Sequence, residues 1–400
     1  MARVLILGAG PLQVPAIRVA KEEGFEVICV DMNPSAIGFS FADSSHVVST
    51  MDFDGVLALA KRLKVDYVFT STSDAPVRTA AWVSERLGLP TGINYEDACC
   101  ATQKDRMRAR LSDFDVPMPL YYACGNFREF ADAVERLECR CIVKPSDCAA
   151  SRGVKLLEGR LESSFLKDIF NETITLSREG VVMVEEYVEG SEVSVESVTI
   201  KGETRVISIT DKMVTEPPYF VELGHCEPSR LSDDTRRSIV EVAKKTVSAI
   251  GIVNGVSHTE VKVTSEGPKV IETAARLGGD FITSKLVPLS TGIDLVRQSV
   301  RLALGLNVDL EPKWQRGAAI RFITSPRSGV ISNLDVDDLI NDIPGISEVE
   351  LYLKEGDSIS IPHSSNDRIG HVVCVGESAQ AASESAERAL SFVRFELALD

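Results

Sequence analysis

Two glutamates, Glu260 and Glu272, lie in a stretch whose sequence predicts a β-hairpin with strands Ser257–Thr264 and Pro268–Thr273. The loop between them, Ser265-Glu266-Gly267, has three residues with glycine last, which is a favoured hairpin connection. Pairing the residues on either side of this loop places Glu260 directly opposite Glu272, where two carboxylates repel each other. A divalent cation between them removes that repulsion, and oxygen ligands favour Mg²⁺. The pair alone leaves open a metal site or two solvated glutamates.

Two lysines in separate segments could bind a phosphate-rich ligand. Lys144 ends an apolar strand, and a lysine in that place needs water or an anionic partner. Lys104 opens a charged segment near a predicted helix start, where a solvated helix residue is the simpler interpretation. The loop 146–153 follows Lys144, and its small residues would let backbone N–H groups approach phosphate oxygens. It lacks the GxxxxGK[ST] pattern of a Walker A loop.

A third segment could hold a nucleoside. The apolar run Val181–Glu186 predicts a buried strand that ends in an acidic hinge. Backbone groups near Glu185 and Val188 could form two hydrogen bonds with an adenine, and Glu192 could accept from ribose hydroxyls. For this segment alone, a strand with a charged, solvated end is the simpler interpretation.

A fourth segment, residues 210–225, could line a substrate pocket. It contains a rigid Pro-Pro turn with two aromatic residues, followed by Glu222 and His225 three positions apart. An ordinary hairpin whose aromatic residues fill the core remains the alternative interpretation.

The elements that must position these residues change character along the chain. The first ninety or so residues alternate strands with helices, which predicts a parallel sheet with crossover helices. Later strands alternate polar and apolar residues with period two, as antiparallel strands do. We expect five parts: a Rossmann-like domain at 1–93, a helical connector at 94–118, a small α+β subdomain at 119–190, a large subdomain with the metal site at 191–312, and an α/β unit at 313–400.

Bulk composition narrows the classes of partner. The 400 residues carry a formal net charge of −16, which argues against general binding to nucleic acid or anionic membranes. No apolar run approaches the ~18 residues that span a bilayer. The nine cysteines include no CxxC pair and predict reduced thiols rather than disulfides or zinc sites. We therefore expect a cytoplasmic protein that acts on small molecules.

Taken in chain order, these features resemble the ATP-grasp superfamily of carboxylate–amine ligases. The resemblance covers essentially the whole chain and rests on Lys104, Lys144-Pro145, Glu185 to Val188, Glu192, Glu260, Glu272 and Arg276. The run Glu272-Thr273-Ala274-Ala275-Arg276 resembles the dipeptide-forming L-amino-acid ligase branch, although many ATP-grasp proteins have asparagine where Ala274 stands. The segment Arg368–Gly376 is similar to the carboxy-terminal piece of biotin-carboxylase-like members. The implied fold is α/β, with a Rossmann-like first domain, a small α+β lid and a large antiparallel sheet.

The resemblance also implies a role for each residue. ATP would contact Lys104, Lys144, Ser146, Ser151, Arg152, Gly153, Glu185, Val188 and Glu192. Mg²⁺, with Mn²⁺ as a possible substitute, would bind Glu260 and Glu272. Arg276 and Lys144 would be catalytic, and the substrates would contact Glu222, His225, Arg276 and Gly279.

The implied reaction activates a carboxylate as an acyl phosphate and couples it to an amine, with release of ADP and phosphate. The nearest alternative is an ATP-dependent carboxylase that uses bicarbonate. Two further alternatives are a non-catalytic nucleotide-binding protein and an NAD-dependent oxidoreductase. The latter rests on Gly8-Ala9-Gly10 and Asp31, but Gln13 stands where a GxGxxG fingerprint needs its third glycine. The family also makes a homodimer an expectation.

Overall fold

The computed structural model describes residues 1–138, 140–148, 152–217 and 219–398. The chain begins with a four-stranded parallel sheet in the order β3-β2-β1-β4. Its elements are β1 (Arg3–Leu7), α1 (Val14–Glu22), β2 (Glu26–Asp31), β3 (Ser44–Val47), α2 (Phe53–Leu63), β4 (Tyr67–Phe69) and α3 (Ala75–Leu87), with 3₁₀ turns at Pro11–Gln13 and Ile37–Phe41. The predicted alternation of strands and helices is present, and β3 is an added edge strand whose polar sequence gave no strand signal.

Two connector helices lead to a second, antiparallel sheet in the order β5-β8-β6-β7. The connector contains α4 (Tyr95–Cys100) and α5 (Lys104–Asp113). The sheet and its helices are β5 (Tyr121–Cys124), α6 (Phe127–Arg136), β6 (Arg140–Pro145), β7 (Lys155–Glu158), α7 (Ser163–Leu176) and β8 (Val182–Glu186). Phe130 and Phe170 on the two helices pack with the apolar strand residues into one core.

The largest sheet has eight strands in the order β13-β12-β9-β10-β11-β14-β18-β16. Its elements are β9 (Ser191–Ile200), β10 (Glu203–Val214), β11 (Glu222–Glu227), α8 (Asp233–Ile250), β12 (Gly255–Thr264), β13 (Gly267–Ala274), a π-helical turn (Ile282–Leu286), α9 (Val287–Thr291), α10 (Leu295–Ala303), β14 (Gly317–Ile323), β16 (Ile346–Leu351), β18 (Gly370–Gly376) and α11 (Ala379–Leu390). A small sheet, β17-β15-β19, is formed by β15 (Gly329–Val336), β17 (Ser358–Ile359) and β19 (Val393–Leu397), with 3₁₀ turns at Asp338–Asp342 and Ser365–Asp367. The strands after residue 313 thus divide between both sheets, and the five-part division stays a prediction.

One face of the large sheet collects polar side chains because alternate residues of a strand point to the same side. Cross-strand pairing joins them into two rows. The first row runs Glu272, Glu260, Ser194, Thr210, and the second runs Lys262, Glu192, Lys212, His225. The intervening residues of the same strands face the other way, where Val193 and Val195 pack against Ile239 and Ala243 of α8. The helix therefore holds the sheet from behind and leaves the polar face open.

The hairpin of β12 and β13 confirms that Glu260 lies opposite Glu272, but by a different route from the one predicted. The loop has two residues, Ser265-Glu266, and Gly267 joins the strand with a φ of +116° that glycine adopts readily. The expected three-residue loop is therefore wrong. A β-bulge restores the register because Val261 pairs with Val270 and Glu260 with Glu272, which leaves Ile271 unpaired.

Across the described residues, none of the helices combines the length and apolar character required to cross a bilayer.

The packing of α8 predicts a stability effect. Ile239→Ala should lower the free energy of unfolding by about 2–5 kcal/mol, because Ile239 is fully buried beneath β9 and its truncation leaves a cavity. Urea unfolding followed by circular dichroism measures the change. Val253→Ala, at a half-exposed position after the same helix, should change it by no more than about 0.5 kcal/mol. Equal effects of the two substitutions would contradict this account of the core.

Candidate active site

A buried guanidinium links three segments that are distant in sequence. Arg108 of α5 donates through Nε and Nη2 to the two oxygens of Glu185 on β8, both at 2.9 Å. Its remaining bonds reach the carbonyls of Val270 at 2.9 Å and Ile271 at 2.8 Å. The arginine thus satisfies the carbonyl oxygen of the bulged residue and fixes β13 against the connector and the second sheet.

The same carboxylate also binds Lys144 at the end of β6, with Nζ 2.7 Å from Oε2 of Glu185. Burial alone would raise the pKa of Glu185, but the charges of Arg108 and Lys144 outweigh it and lower the pKa to about 2. Burial also lowers the pKa of Lys144 against the attraction of Glu185. This cluster therefore carries one net positive charge beside a cavity, which suits a polyanionic ligand.

The two facing glutamates of the hairpin are each held by a lysine. Lys104 Nζ lies 3.0 Å from Glu272 and also donates to the carbonyl of Cys148 at 2.7 Å. Lys212 Nζ lies 3.0 Å from Glu260, and the charge of Lys212 keeps the pKa of that carboxyl well below its usual value despite burial. Each carboxylate therefore already has a lysine ammonium beside it.

Lys212 is the centre of a larger acidic group that sequence analysis did not identify. Its Nζ lies 2.7 Å from Glu192, 3.0 Å from Glu260 and 3.6 Å from Glu222. Burial opposes the charge, but the three carboxylates raise the lysine pKa well above its ordinary value. Three acids around one lysine leave capacity for a further cation.

A buried pair formed by His258 and Glu196 lies on the other side of Glu260. His258 bonds through Nδ1 to Glu196, and its Nε2 lies 3.5 Å from Glu260. Burial would lower the His258 pKa, but Glu196 raises it to about 9. Glu196 also accepts from the backbone N–H of Gly278 at 3.2 Å, which ties the hairpin to the loop that follows it.

That loop brings Arg276 to the first domain. Its guanidinium pairs with Asp74 at the start of α3, with Nε 2.8 Å and Nη2 3.2 Å from the two carboxylate oxygens. The N–H of Leu277 donates to the carbonyl of Ser71 at 3.0 Å. A Cβ on Gly278 would lie 2.4 Å from a Glu196 oxygen, so only glycine fits there, whereas nothing lies within 4 Å of a Cβ built on Gly279.

The carboxy-terminal unit completes one wall. Ser365 donates to Glu222 at 2.6 Å, and Arg368 Nη2 lies 3.1 Å from the same carboxylate. Arg368 also binds both oxygens of Asp280 at 2.9 and 2.8 Å, and His225 Nε2 lies 3.4 Å from Asp280. Segments that begin more than 130 residues apart in the chain therefore share this corner.

These groups surround two adjoining cavities of about 180 and 470 Å³, and the second lies within the range of small-molecule sites. Both cavities are lined by Lys104, Arg152, Lys212, Glu222, Glu260, Glu272 and Arg276. The first cavity adds Lys144, Glu185, Glu186, Tyr187, Val188 and Glu192. The second adds Asp74, Arg78, Ser194, His225, Gly279 and Asp280. Most residues singled out from the sequence thus meet at one place.

In the structure, three predicted ATP contacts either have their side chains bonded to other residues or lie outside both cavity linings. Ser146 is fully buried, lines neither cavity and bonds to Asp105, so its hydroxyl joins β6 to α5. Gly153 also lies outside both linings and packs near Pro145, where its φ of +75° suits glycine. Glu185 lies in the wall, but its side chain is taken by two cations and its backbone lies between β5 and β6. Ser151 falls outside the described residues.

Five residues of the site were missed: Arg108, Glu196, Lys212, His258 and Arg368. Each is buried and charged, or paired with a charge, and each has its partner on another element. A lysine or histidine within a strand of alternating character was the available signal, because such a residue needs a partner on the same face.

Glu185→Gln should lower the free energy of unfolding at pH 7 by about 3–5 kcal/mol, because it leaves Arg108 and Lys144 buried beside a neutral amide. The folded-state pKa of about 2 lies below the ordinary 4.5, so the wild-type advantage is complete above pH 4.5 and is lost as pH falls towards 2. Urea unfolding of both proteins at several pH values measures this. Glu158→Gln, in an exposed ion pair, should change stability by less than about 1 kcal/mol. A difference between wild type and Glu185→Gln that did not depend on pH would contradict the assignment.

Comparison with known proteins identifies two segments of the chain that match known domain families. A model described as "ATP-grasp domain" matches residues 137–284, and one described as "L-amino acid ligase C-terminal domain 2" matches 321–398. The chain is 29% identical to alanine–anticapsin ligase of Bacillus subtilis strain 168 over 66% of this chain and 59% of that one. It is 26% identical to mouse (Mus musculus) carnosine synthase over 94% of this chain and 48% of that one, so it spans about half the length of such relatives.

A solved structure extends the likeness to the whole fold. The crystal structure of an L-amino acid ligase from Bacillus licheniformis superimposes with a TM-score of 0.82 at 21% identity, covering 100% of this chain and 99% of that one. Its likeness bears on the fold alone, and the predicted fold class is confirmed. Residues 137–284 thus match the ATP-grasp domain, and residues 321–398 match the carboxy-terminal domain 2 of L-amino acid ligases.

Proposed function

We propose that this chain is an ADP-forming ligase that activates a carboxylate with ATP and joins it to an amine. The observation that carries the proposal is the convergence of Lys104, Lys144 and the facing pair Glu260 and Glu272 on one cavity. Cations and a carboxylate pair on a shared wall suit a nucleotide triphosphate with a divalent metal. The named relatives, an alanine–anticapsin ligase and a carnosine synthase, support a carbon–nitrogen ligase over the other classes.

The first cavity is the nucleotide site in this proposal. The segment Glu186–Val188 after β8 contacts the adenine in place of Glu185, and Glu192 accepts from the ribose. Apolar side chains at Ile142 and Ile271 line the same cavity and can pack on the two faces of the ring. Lys104 and Lys144 bind the phosphates. Arg152 lines the same cavity and adds a further positive charge, and the predicted contact Ser151 lies outside the described residues.

The donor set fits a divalent cation. Glu260 and Glu272 lie side by side across the hairpin, and each has a lysine beside it. Among the described residues, Cys148 is the one cysteine in the lining of these two cavities. Oxygen ligands favour Mg²⁺, with Mn²⁺ as a substitute. Ala274 offers no third ligand oxygen, so water or phosphate oxygens complete the coordination. A bound Mg²⁺ would neutralise negative charge on the transferring phosphoryl group.

The second cavity holds the reacting groups. A carboxylate oxygen attacks the γ-phosphorus and ADP leaves, which gives an acyl phosphate. The amine nitrogen then attacks the acyl carbon, phosphate leaves and the nitrogen loses a proton. Arg276, fixed by Asp74, and the Gly279 N–H, which has no partner among the described residues, bind the acyl phosphate. The lid and its loop exclude water that would hydrolyse this intermediate.

Substrate chemistry follows from the wall opposite the phosphates. Glu222 and Asp280 share one arginine, Arg368, so the corner attracts an ammonium group. The buried Ser194 Oγ and His225 Nδ1 lack partners among the described residues and can bond to a polar substrate. An amino acid as carboxylate donor satisfies these groups. The expected cytoplasmic location and homodimer stay part of the proposal.

A carboxylase that uses bicarbonate is the alternative. Bicarbonate has no ammonium group, so it would make no use of the two carboxylates, Glu222 and Asp280, that meet at Arg368. ADP release that depends on bicarbonate, with no response to amino acids, would favour this alternative.

Release of phosphate from MgATP should require two amino acids and should fall at least about 100-fold in Lys144→Ala and in Glu272→Ala, because each removes a group that contacts the phosphates or the metal. A matrix of amino-acid pairs with a coupled phosphate assay measures turnover, and mass spectrometry identifies the product.

Matched controls are Lys167→Ala on the exposed side of α7 and Glu266→Ala in the hairpin loop, which should keep wild-type turnover. Near wild-type turnover of Glu272→Ala would show that the metal assignment is wrong.

A further inference from the structure

Two consecutive residues after Gly279 adopt a backbone conformation that side chains disfavour. Asp280 has a φ of +50° and Phe281 a φ of +62°, and neither is glycine. Such residues persist only where surrounding contacts hold them. The π-helical turn Ile282–Leu286 follows at once, and its first N–H donates to the carbonyl of Gly279 at 2.9 Å. The end of the substrate loop is therefore strained and must be held in place.

Arg368 of the carboxy-terminal unit supplies the hold on Asp280. Both Nη atoms bind the carboxylate, one to each oxygen, at 2.9 and 2.8 Å. The guanidinium carbon lies 3.6 Å from the ring centre of Phe322, and the residue is 5% exposed. A planar guanidinium that is stacked and bonded to both oxygens fixes the direction of the carboxylate as well as its distance.

Phe281 is held from the same unit. Its ring lies 4.6 Å from that of His371 on β18 with a tilt of 30°, and the Lys285 ammonium lies 4.4 Å from the Phe281 ring centre. The His371 ring is fixed in turn by the hydroxyl of Tyr352 at 2.6 Å from its Nδ1. Asp280 and Phe281 are thus each held by a side chain of the carboxy-terminal unit, Arg368 and His371 respectively.

Arg368 does not line either cavity, whereas Asp280 and Gly279 line the second one. On the other side, the loop is tied through Arg276 to Asp74 and through Gly278 to Glu196. The free Gly279 N–H lies between these two anchors, so its direction depends on both of them.

We propose that Arg368 is a positioning residue, which holds Asp280 in the left-handed conformation and thereby aims the Gly279 N–H and the Asp280 carboxylate at the amino acid that donates its carboxyl group. This inference rests on the proposed ligase function and assigns to the carboxy-terminal unit a direct part in donor binding. Arg368 acts through the loop and does not touch the substrate.

The experiment compares Arg368→Gln and Arg368→Lys with wild type. Arg368→Gln leaves Asp280 and Glu222 facing each other without their shared cation, and we expect the KM for the donor amino acid to rise about 10- to 100-fold. The KM for MgATP and the kcat at saturating donor should stay within about threefold. Arg368→Lys keeps the charge but loses the two-point bond, so it should fall between wild type and Arg368→Gln.

Arg394→Gln is the matched control, because it breaks an exposed pair with Asp337 in the same unit and should behave as wild type. An unchanged donor KM in Arg368→Gln would overturn the proposal.

Hydrogen exchange gives a readout that does not need turnover. Backbone amides of residues 277–286 should exchange at least about tenfold faster in Arg368→Gln than in wild type or Arg394→Gln, because the loop loses its anchor. Faster exchange with no turnover for any amino-acid pair would refute the ligase function and leave the anchoring role standing. Unchanged exchange in this segment would refute the anchoring role itself.

Discussion

The structure of the site depends on one buried cation, the guanidinium of Arg108. It accounts for the ionised state of Glu185, for the carbonyl that the bulge leaves unpaired and for the position of α5. Lys144 is then held by Glu185, and Lys104, at the start of α5, reaches Glu272. Four of the five N–H groups of this guanidinium form hydrogen bonds with the described residues. The number of these bonds explains why the guanidinium lies where three segments meet.

The apparent conflict of placing the carboxylates of Glu192, Glu260 and Glu272 on one sheet face is resolved by the lysines and the histidine among them. Glu260 has Lys212 and His258 beside it, and Glu272 has Lys104. Under the proposed function, a bound metal would replace one cationic partner of these carboxylates with another. Such an exchange would avoid the large desolvation cost of an unpaired buried charge and would leave the lysines available for phosphates.

The sequence predicted those features that depend on local pattern. The positions of Glu260, Glu272 and Glu192 were predictable from strand alternation, the hairpin and the acidic hinge. Strand period and loop length depend on residues close in sequence, so a local pattern suffices to predict them. The bulge was not predictable, since a carbonyl on β13 is satisfied by a side chain 163 residues away. The bond of Ser146 to Asp105 of α5 was not predictable for a related reason: small polar residues in loops can bond to helices as readily as to phosphates. Pairing of distant charges carries no local signature.

The ion pair of Arg276 with Asp74, together with Arg368 at the opposite corner, bears on how such proteins can be recombined. The ATP-grasp match covers 137–284, yet the arginine within it is oriented by a residue upstream and its loop by one downstream. A chimera that transplants residues 137–284 alone would contain Arg276 and its loop but would lack Asp74 and Arg368, which hold them in position. Evolution by fusion or exchange of modules in this family would then have to move all three pieces together, or rebuild both junctions at once.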